Sequence, residues 1–218
     1  MKELNFYFDF LSPFSYFAWL KLKPLAQELN LKVNFKPVAL GPILNHWQIK
    51  GPGEVTPKRE FLLKQCLRYA AAQNVEFTTP KTHPFNSLYA LRLALKNVAG
   101  ENQERVIETL WKAGWQQRVD MGEPDELLQA LRENDLPADE LYEKSFTKDA
   151  KVELKSNIQE AITKGAFGVP TFVVDDELFW GQDSLNDLKN YVQGNDKLDR
   201  IKLEILLANT PRAAAQSL

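Results

Sequence analysis

Residues 6–16, with the sequence FYFDFLSPFSY, constrain the fold of this chain more than any other stretch. Apolar residues alternate through the first half of the stretch and just before it, with the period of a β-strand that has one face on a core. These residues are Leu4, Phe6, Phe8 and Phe10. The second half has the residue types that begin a helix. We therefore predict a strand that runs directly into a helix.

Ser12 and Pro13 predict where that helix begins. A serine hydroxyl at the N-cap accepts an otherwise unpaired backbone N–H, and a proline at the next position has no N–H to leave unpaired. Apolar residues at helical spacing then predict one buried side as far as about residue 29, namely Phe17, Leu20, Pro24, Leu25 and Leu29. The Ser12 hydroxyl is thus predicted at a positively polarised helix N-terminus, which stabilises anions such as a thiolate.

The composition limits the class of protein. The chain has 218 residues, of which 44% are hydrophobic and 26% charged, and its formal net charge is −2, as in ordinary soluble globular proteins. No basic stretch is interleaved with aromatic residues, and no apolar run reaches about 18 residues, so we expect neither nucleic-acid binding nor a membrane span. Since the N-terminus also lacks a secretory pattern, we expect a cytoplasmic protein.

Cysteine and histidine are too few for a disulfide or a metal site. The single cysteine, Cys66, excludes an intramolecular disulfide and fits a reducing compartment. It lies in an apolar helical pattern over residues 63–70, which favours a packed core thiol, with a thiol near a functional site as the alternative. The two histidines, His46 and His83, are far apart in sequence, so we expect no metal ligation.

The rest of the chain predicts strands at both ends and helices between them. Residues 31–38 alternate as a second strand, and a strand–helix–strand unit implies a right-handed parallel crossover. Residues 41–53 are rich in glycine and proline and predict a loop. Near the other end, residues 171–174 and 178–180 predict a hairpin that turns at residues 175–176.

Helical periodicity occupies most of the remaining sequence. The predicted helices span residues 58–73, 88–98, 106–115, 124–131, 138–144, 149–164, 185–192 and 198–208. Pro211 should end the last helix, before a loose tail at residues 213–217. Since the β pieces are too short to form separate sheets, we predict one four-stranded α/β sheet domain, residues 1–40 and 165–218, with an inserted all-helical domain, residues 41–164.

Three motifs in the expected order and spacing resemble one protein family. They are FDFLSPFSY at residues 8–16, GAFGVPT at residues 165–171 and FWGQD at residues 179–183. The chain resembles, from about Asn5 to Tyr191, the 2-hydroxychromene-2-carboxylate isomerases, which are related to kappa-class glutathione transferases and to the DsbA branch of the thioredoxin fold. The resemblance implies a thioredoxin-like (DsbA-like) fold with a large helical insertion, glutathione as cofactor, and a homodimer.

The segment from Ser12 to Ser15 occupies the place where redox relatives carry Cys-Pro-x-Cys. With both thiols absent, disulfide exchange at this position is excluded. The resemblance implies that the Ser12 hydroxyl is the catalytic group that hydrogen-bonds the glutathione thiolate; the alternative is that Ser12 is only an N-cap. For Ser15, a first-turn helix position is favoured over a catalytic role.

The resemblance also implies which other residues bind glutathione: Val169, Pro170, Trp180, Gly181, Gln182 and Asp183. Val169–Pro170 resembles the thioredoxin-fold cis-proline, where the residue before proline can pair in strand fashion with an extended peptide. Asp183 would meet the α-ammonium of the γ-glutamyl end. The alternatives are a rigid turn at Val169–Pro170 and an N-cap at Asp183.

A second, small aromatic or electrophilic substrate should lie between this site and the helical insertion. The candidate substrate-binding residues are Asn45, Lys58, Phe85 and Asn86. Together with Phe10 and Phe14, Phe85 would supply an aromatic wall for a flat bicyclic molecule. The alternatives are a solvated charge at Lys58 and a helix cap at Asn86.

The resemblance implies an isomerase that interconverts 2-hydroxychromene-2-carboxylate and trans-o-hydroxybenzylidenepyruvate, or a related intermediate of aromatic degradation. The glutathione thiolate would add to a conjugated carbon, allow the former double bond to rotate, and leave unchanged. One alternative is a kappa-like glutathione transferase that conjugates small electrophiles. A second alternative is a non-catalytic binding protein on the thioredoxin fold.

Overall fold

A computed structural model describes residues 1–210 of the chain. Four strands form a sheet: β1 (Lys2–Phe8), β2 (Leu31–Pro37), β3 (Thr171–Val174) and β4 (Glu177–Trp180). Their order is β2-β1-β3-β4. β1 and β2 are parallel, whereas β3 is antiparallel to both β1 and β4. The predicted four-stranded sheet, the parallel crossover and the terminal hairpin are confirmed.

Eleven α-helices lie in the described part of the chain. They are α1 (Pro13–Glu28), α2 (Leu40–Trp47), α3 (Thr56–Gln73), α4 (Leu88–Leu93), α5 (Lys96–Ala99), α6 (Gln103–Trp115), α7 (Pro124–Glu133), α8 (Ala138–Ser145), α9 (Lys148–Thr163), α10 (Leu185–Val192) and α11 (Arg200–Asn209). Short 3₁₀ turns occupy Pro52–Glu54 and Gly100–Asn102. The predicted stop at Pro211 and the tail at residues 213–217 lie outside the described residues. No helix among residues 1–210 has both the length and the apolarity to cross a membrane.

The central strand β1 is buried on both faces. Phe6 and Phe8 have no exposed surface and pack in the main core, and the Phe6 ring stacks on Phe172 of β3 at 5.1 Å between centroids. Tyr7 points the other way, is equally buried, and lies in a second cluster with Val173. The prediction that β1 has one face on a core is therefore incomplete, because helices cover both sides of the sheet.

The sheet and the inserted helices share one core. The Trp111 ring of α6 lies 4.6 Å from that of Phe10 and 5.7 Å from that of Phe8, between centroids. The cluster of buried residues that contains these rings continues through α4, α5, α7, α8 and α9. The division into residues 1–40 with 165–218 and residues 41–164 stays a prediction.

The loop predicted at residues 41–53 is wrong for its first half, which forms α2. Gly41 and Pro42 occupy the first turn, where backbone N–H groups have no intrahelical partner. The N–H group that proline lacks is therefore not missed at this position. The Leu40 N–H donates to Oδ2 of Asp9 at 2.8 Å. A carboxylate distant in sequence therefore stabilises a helix start that local composition argues against.

The helix predicted over residues 88–98 is also wrong, because it is two helices, α4 and α5. The break comes at Ala94, whose carbonyl accepts a hydrogen bond from Nε2 of Gln103 at 3.0 Å. The N–H groups of Lys96 and Asn97 both donate to the Glu153 carboxylate at 2.9 Å, which caps the start of α5. Side chains from α6 and α9 thus replace the hydrogen bonds of a continuous helix.

The buried side of α1 differs from the predicted one. Phe17 is buried as expected, but Leu20 and Leu25 are only half-buried and Pro24 is exposed. The other buried residues of the helix are Pro13, Ser15, Tyr16, Ala18, Leu22 and Ala26. Apolar residues surround most of α1, so periodicity alone does not identify the side that faces the core.

Candidate functional site

Ser12 lies at the junction between the first strand and α1. It is the N-cap of α1, its Oγ accepts a hydrogen bond from the Ser15 N–H at 3.2 Å, and Pro13 follows at the first helical position. The predicted helix start is confirmed. Ser12 retains 8% of its surface exposed, so its hydroxyl is largely shielded from water at the positive end of a helix.

The segment around Pro170 lies directly against Ser12. The Val169–Pro170 peptide bond is cis, as predicted. The Ser12 hydroxyl donates to the Val169 carbonyl at 3.4 Å, and the Gly181 N–H donates to the Pro170 carbonyl at 2.9 Å. These two contacts bring together the three motifs, which are more than 150 residues apart at their extremes.

The segment 180–183 leads from β4 to α10. Gly181 has φ +89°, a left-handed conformation that favours glycine, and Trp180 is half-exposed with its ring 5.0 Å from that of Phe167. Gln182 is buried, and its Oε1 accepts a hydrogen bond from Nζ of Lys21 at 2.7 Å. Asp183 is exposed. Ser184, not Asp183, is the N-cap residue of α10, and it makes no side-chain cap hydrogen bond.

Phe85 and Asn86 belong to a segment that packs beside the loop before α1. The Leu11 carbonyl accepts a hydrogen bond from Nε2 of His83 at 2.9 Å, and the His83–Pro84 bond is a second cis peptide, which the sequence did not predict. Phe85 is buried. Asn86 is exposed, and its Oδ1 accepts from the Leu88 N–H at 3.2 Å. Ser87, not Asn86, is the N-cap residue of α4, so Asn86 assists the start of this helix from one position further out.

Asn45 and Lys58 are exposed on α2 and on the first turn of α3. Among residues 1–210, no hydrogen bond joins either side chain to Ser12, Val169 or segment 180–183. α2 is nevertheless held close to the Pro170 segment, because Nε1 of Trp47 donates to the Ala166 carbonyl at 2.8 Å.

The three aromatic side chains predicted to form a wall differ in accessibility. Phe10 has no exposed surface and packs on Trp111 in the core, so it cannot present a face to a substrate. Phe85 is 9% exposed, and Phe14 is half-buried with its ring 6.1 Å from that of Tyr69. The predicted wall is therefore wrong for Phe10, since the sheet and α6 close over it.

Sequence reasoning missed the part that Asp9 plays near the site. Asp9 is fully buried, Oδ1 accepts from the Leu11 N–H at 3.1 Å, and Oδ2 accepts from the Leu40 N–H. Burial raises the pKa of this carboxyl to about 6, although the two N–H groups and the Ser87 side chain oppose the rise. The sequence did contain a signal for this role, because Asp9 is a lone acidic residue within an alternating phenylalanine pattern.

The chain itself supplies no thiolate near Ser12. Cys66 is buried in α3, and burial raises the pKa of its thiol to about 12, which confirms the packed core thiol. Ser15, at the place of the second redox cysteine, has a buried Oγ with no hydrogen-bond partner among residues 1–210. The site thus combines a helix N-terminus, a shielded hydroxyl and a cis-proline edge, and it can stabilise an anion that comes from a bound molecule. No group of three or more potential metal ligands occurs in the described part of the chain.

Comparisons with known proteins agree with this geometry. The family described as DSBA-like thioredoxin domain matches residues 3–193. A 2-hydroxychromene-2-carboxylate isomerase of Sphingobium xenophagum is 30% identical over 194 residues, which cover 88% of this chain and 98% of that protein. Glutathione S-transferase kappa 1 of Rattus norvegicus is 26% identical over 182 residues, or 79% of this chain and 80% of that protein.

A solved structure supports the same fold. The structure of a 2-hydroxychromene-2-carboxylate isomerase aligns with a TM-score of 0.77 at 21% identity, and the alignment covers 95% of this chain and 100% of that one. At 21% identity the structural match supports the fold alone. The family is supported by the sequence relatives.

Proposed function

Because the chain belongs to the 2-hydroxychromene-2-carboxylate isomerase family within the DsbA-like thioredoxin domains, we propose that it is a glutathione-dependent isomerase. The proposed reaction interconverts 2-hydroxychromene-2-carboxylate and trans-o-hydroxybenzylidenepyruvate, or a related aromatic-degradation intermediate. The observation that carries the proposal is the shielded Ser12 hydroxyl at the start of α1, beside the cis Val169–Pro170 bond, in a chain with no thiolate of its own there.

Bound glutathione would supply a nucleophilic sulfur that adds reversibly to a conjugated carbon. The part of Ser12 is to stabilise negative charge. Its bond to the Val169 carbonyl is long at 3.4 Å, so the hydroxyl can turn toward an anion at little cost. A charge-assisted hydrogen bond is worth about 1.5–3 kcal/mol, or roughly one to two pKa units when it acts on the ionised form alone.

Val169 and the segment 180–183 are the proposed binding elements for the peptide part of glutathione. The Val169 N–H donates no hydrogen bond within residues 1–210, so it remains available to pair with an extended peptide. The exposed Asp183 carboxylate can meet an ammonium group. Pro170, Trp180, Gly181 and Gln182 complete the proposed glutathione site.

The second substrate would bind beside the segment that follows the His83–Pro84 bond. Phe85 and Asn86 are proposed to contact it, since His83 joins this segment to Leu11, next to Ser12. Asn45 and Lys58 remain proposed contacts from α2 and α3. The homodimer and the cytoplasmic location stay predictions.

A kappa-like glutathione transferase is the second candidate, because a kappa-class relative matches at 26% identity over most of the chain. One experiment separates the candidates. The protein is first titrated with glutathione by calorimetry and then incubated with glutathione and 2-hydroxychromene-2-carboxylate, while the two isomers and the free thiol are measured.

We expect binding, interconversion of the isomers only when glutathione is present, and an unchanged concentration of free thiol. Loss of thiol in step with substrate would indicate a transferase instead. Absence of glutathione binding would contradict both enzymes and favour a non-catalytic binding protein.

A further inference from the structure

A groove between α1 and α10 adjoins the segment 180–183. Its volume is about 530 Å³, and each end has one cation and one anion: Lys21 and Asp183 lie at one end, and Glu28 and Lys189, which form an ion pair, lie at the other. The remaining lining residues are Leu20, Pro24, Leu25, Gln182, Leu185 and Asn186. The half-buried apolar residues of α1 thus form the wall of a surface groove that begins at the proposed glutathione site.

Lys21 is a half-buried cation at the site end of this groove. Its Nζ donates to Oε1 of the buried Gln182 at 2.7 Å and lies 5.8 Å from the centre of the Tyr69 ring. An ammonium group has three donors, so others remain after this bond. Burial lowers the pKa of Lys21, while the charge of Asp183 opposes the shift. A partly desolvated cation of this kind is stabilised by a nearby anion.

The neighbouring lysines are already paired. Lys189 contacts Glu28 at 2.6 Å in the same groove, and Lys23 contacts Glu104 at 2.7 Å two residues further along α1. Lys21 has no ion pair within 4.0 Å among residues 1–210. Lys21 is therefore the cation of this groove that can pair with an external carboxylate without breaking an existing salt bridge.

The spacing along α1 suits the length of glutathione. Lys21 follows Ser12 by nine positions, which is about 14 Å along a helix axis, and helical side chains tilt toward the N-terminus, which brings the ammonium back toward Ser12. An extended peptide covers roughly 3.3 Å per residue. The cysteinyl and γ-glutamyl units lie between the sulfur and the amino end, which gives roughly 7 Å plus the extra carbons of the γ-link. The long Lys21 side chain, directed back toward Ser12, spans the rest of the distance.

We propose that Lys21 and Asp183 bind the two charges of the γ-glutamyl end, with Lys21 on the α-carboxylate and Asp183 on the α-ammonium. Lys21 then selects for a thiol cofactor that carries a free α-carboxylate at this end. The inference rests on the proposed use of glutathione and adds a residue that lies outside the three motifs.

The test is a comparison of two ligands on matched variants by calorimetric titration. The ligands are glutathione and 4-aminobutyryl-cysteinyl-glycine, which lacks only the α-carboxylate of the γ-glutamyl unit. The variants are Lys21→Met, which keeps an apolar stem in the groove, Lys21→Arg, which keeps the charge, and Lys189→Met as the control in the same groove.

We expect the unmodified protein and Lys189→Met to prefer glutathione over the analogue by roughly 10-fold to 100-fold, Lys21→Met to lose that preference, and Lys21→Arg to keep most of it. Far-UV circular dichroism of each variant identifies a misfolded protein. If Lys21→Met misfolds, Lys21→Gln, which also removes the charge but keeps a polar group beside Gln182, takes its place and should likewise lose the preference.

Three results would overturn the inference. If Lys21→Met weakens the binding of both ligands equally, Lys21 acts only by holding Gln182. If Lys21→Met keeps the preference, the carboxylate is bound elsewhere, and the glutathione function still stands. If the unmodified protein binds neither ligand, the proposed function fails together with the inference.

Discussion

Ser12 and Thr147 cap their helices in the same way. A comparison of the two residues therefore distinguishes the structural role of Ser12 from its proposed chemical role. In both, a side-chain oxygen accepts the N–H three residues later at 3.2 Å. Thr147 begins α9. Loss of either cap should cost about 1 kcal/mol of the free energy of unfolding.

We expect Ser12→Ala to raise the thiol pKa of bound glutathione by about one to two units, because the charge-assisted bond to the sulfur is lost. Thr147→Ala should lower the free energy of unfolding by a similar amount but leave that thiol pKa unchanged. The pKa is read from thiolate absorbance of the bound cofactor across pH. Equal thiol pKa values in the two variants would remove Ser12 from the chemistry.

Asp9 makes the stability of the protein depend on pH. Its pKa is about 6 in the folded chain against 3.8 for the ordinary carboxyl, so between these values the folded state holds a proton that the unfolded state has released. The free energy of unfolding should therefore fall by about 3 kcal/mol as pH rises from about 4 to above 6.

The matched variant for this prediction is Asp9→Asn, which cannot ionise. It should lose stability overall, because Leu11 and Leu40 donate to different carboxylate oxygens and asparagine replaces one of these with an NH₂ donor. Its unfolding free energy should lack this fall with pH. Urea unfolding at pH 4, 5, 6 and 7 measures both slopes. Parallel slopes would show that Asp9 does not titrate in this range.

At the scale of elements, the link between β4 and α10 depends on the backbone conformation of Gly181. At φ +89° an alanine is strained, and its Cβ would also collide with the Asp183 carboxylate. Gly194 has φ +75° after α10, but an added Cβ there meets no atom within 4 Å. An alanine at either position would therefore have a strained backbone, but only an alanine at position 181 would also collide with Asp183.

Both Gly181→Ala and Gly194→Ala should lower the free energy of unfolding by about 1–3 kcal/mol through the strained φ. Only Gly181→Ala should also weaken glutathione binding, because Asp183 must move. Urea unfolding and calorimetric titration of the two variants check this. Similar loss of affinity in both would mean that segment 180–183 does not hold the ligand.

At the scale of the whole molecule, Trp111 joins the sheet to the inserted helices. It has no exposed surface and contacts the rings of Phe8, Phe10 and Tyr16. A core shared in this way couples the unfolding of its two parts.

Trp111→Ala should lower the free energy of unfolding by about 3–5 kcal/mol, and the protein should still unfold in one transition. Phe61→Ala, which removes an aromatic ring that is 59% exposed, is the control and should cost less than about 1 kcal/mol. Urea unfolding is followed by circular dichroism and by tryptophan fluorescence. Two separated transitions would show that residues 41–164 unfold as an independent domain.

Local signals in the sequence determined much of the fold. Alternation predicted β1, the Ser12–Pro13 pair predicted the start of α1, and the Asp175–Asp176 pair predicted the hairpin, where both residues have positive φ. The motif match predicted the cis bond before Pro170. The first three features depend on residues that are neighbours in the chain, so local sequence is sufficient to predict them. The cis bond was predicted from the family resemblance, because local sequence alone favours a trans bond before proline.

Only the tertiary structure decided the features that depend on distant partners. α2 begins where it does because Leu40 meets Asp9, and α5 separates from α4 because Glu153 caps it. Lys21 acquires its place beside segment 180–183 only in the folded chain, where its Nζ bonds Gln182 and where Lys189 of α10 pairs with Glu28 of α1. Burial and hydrogen bonds between remote segments set these outcomes, and periodicity within one segment carries no information about them.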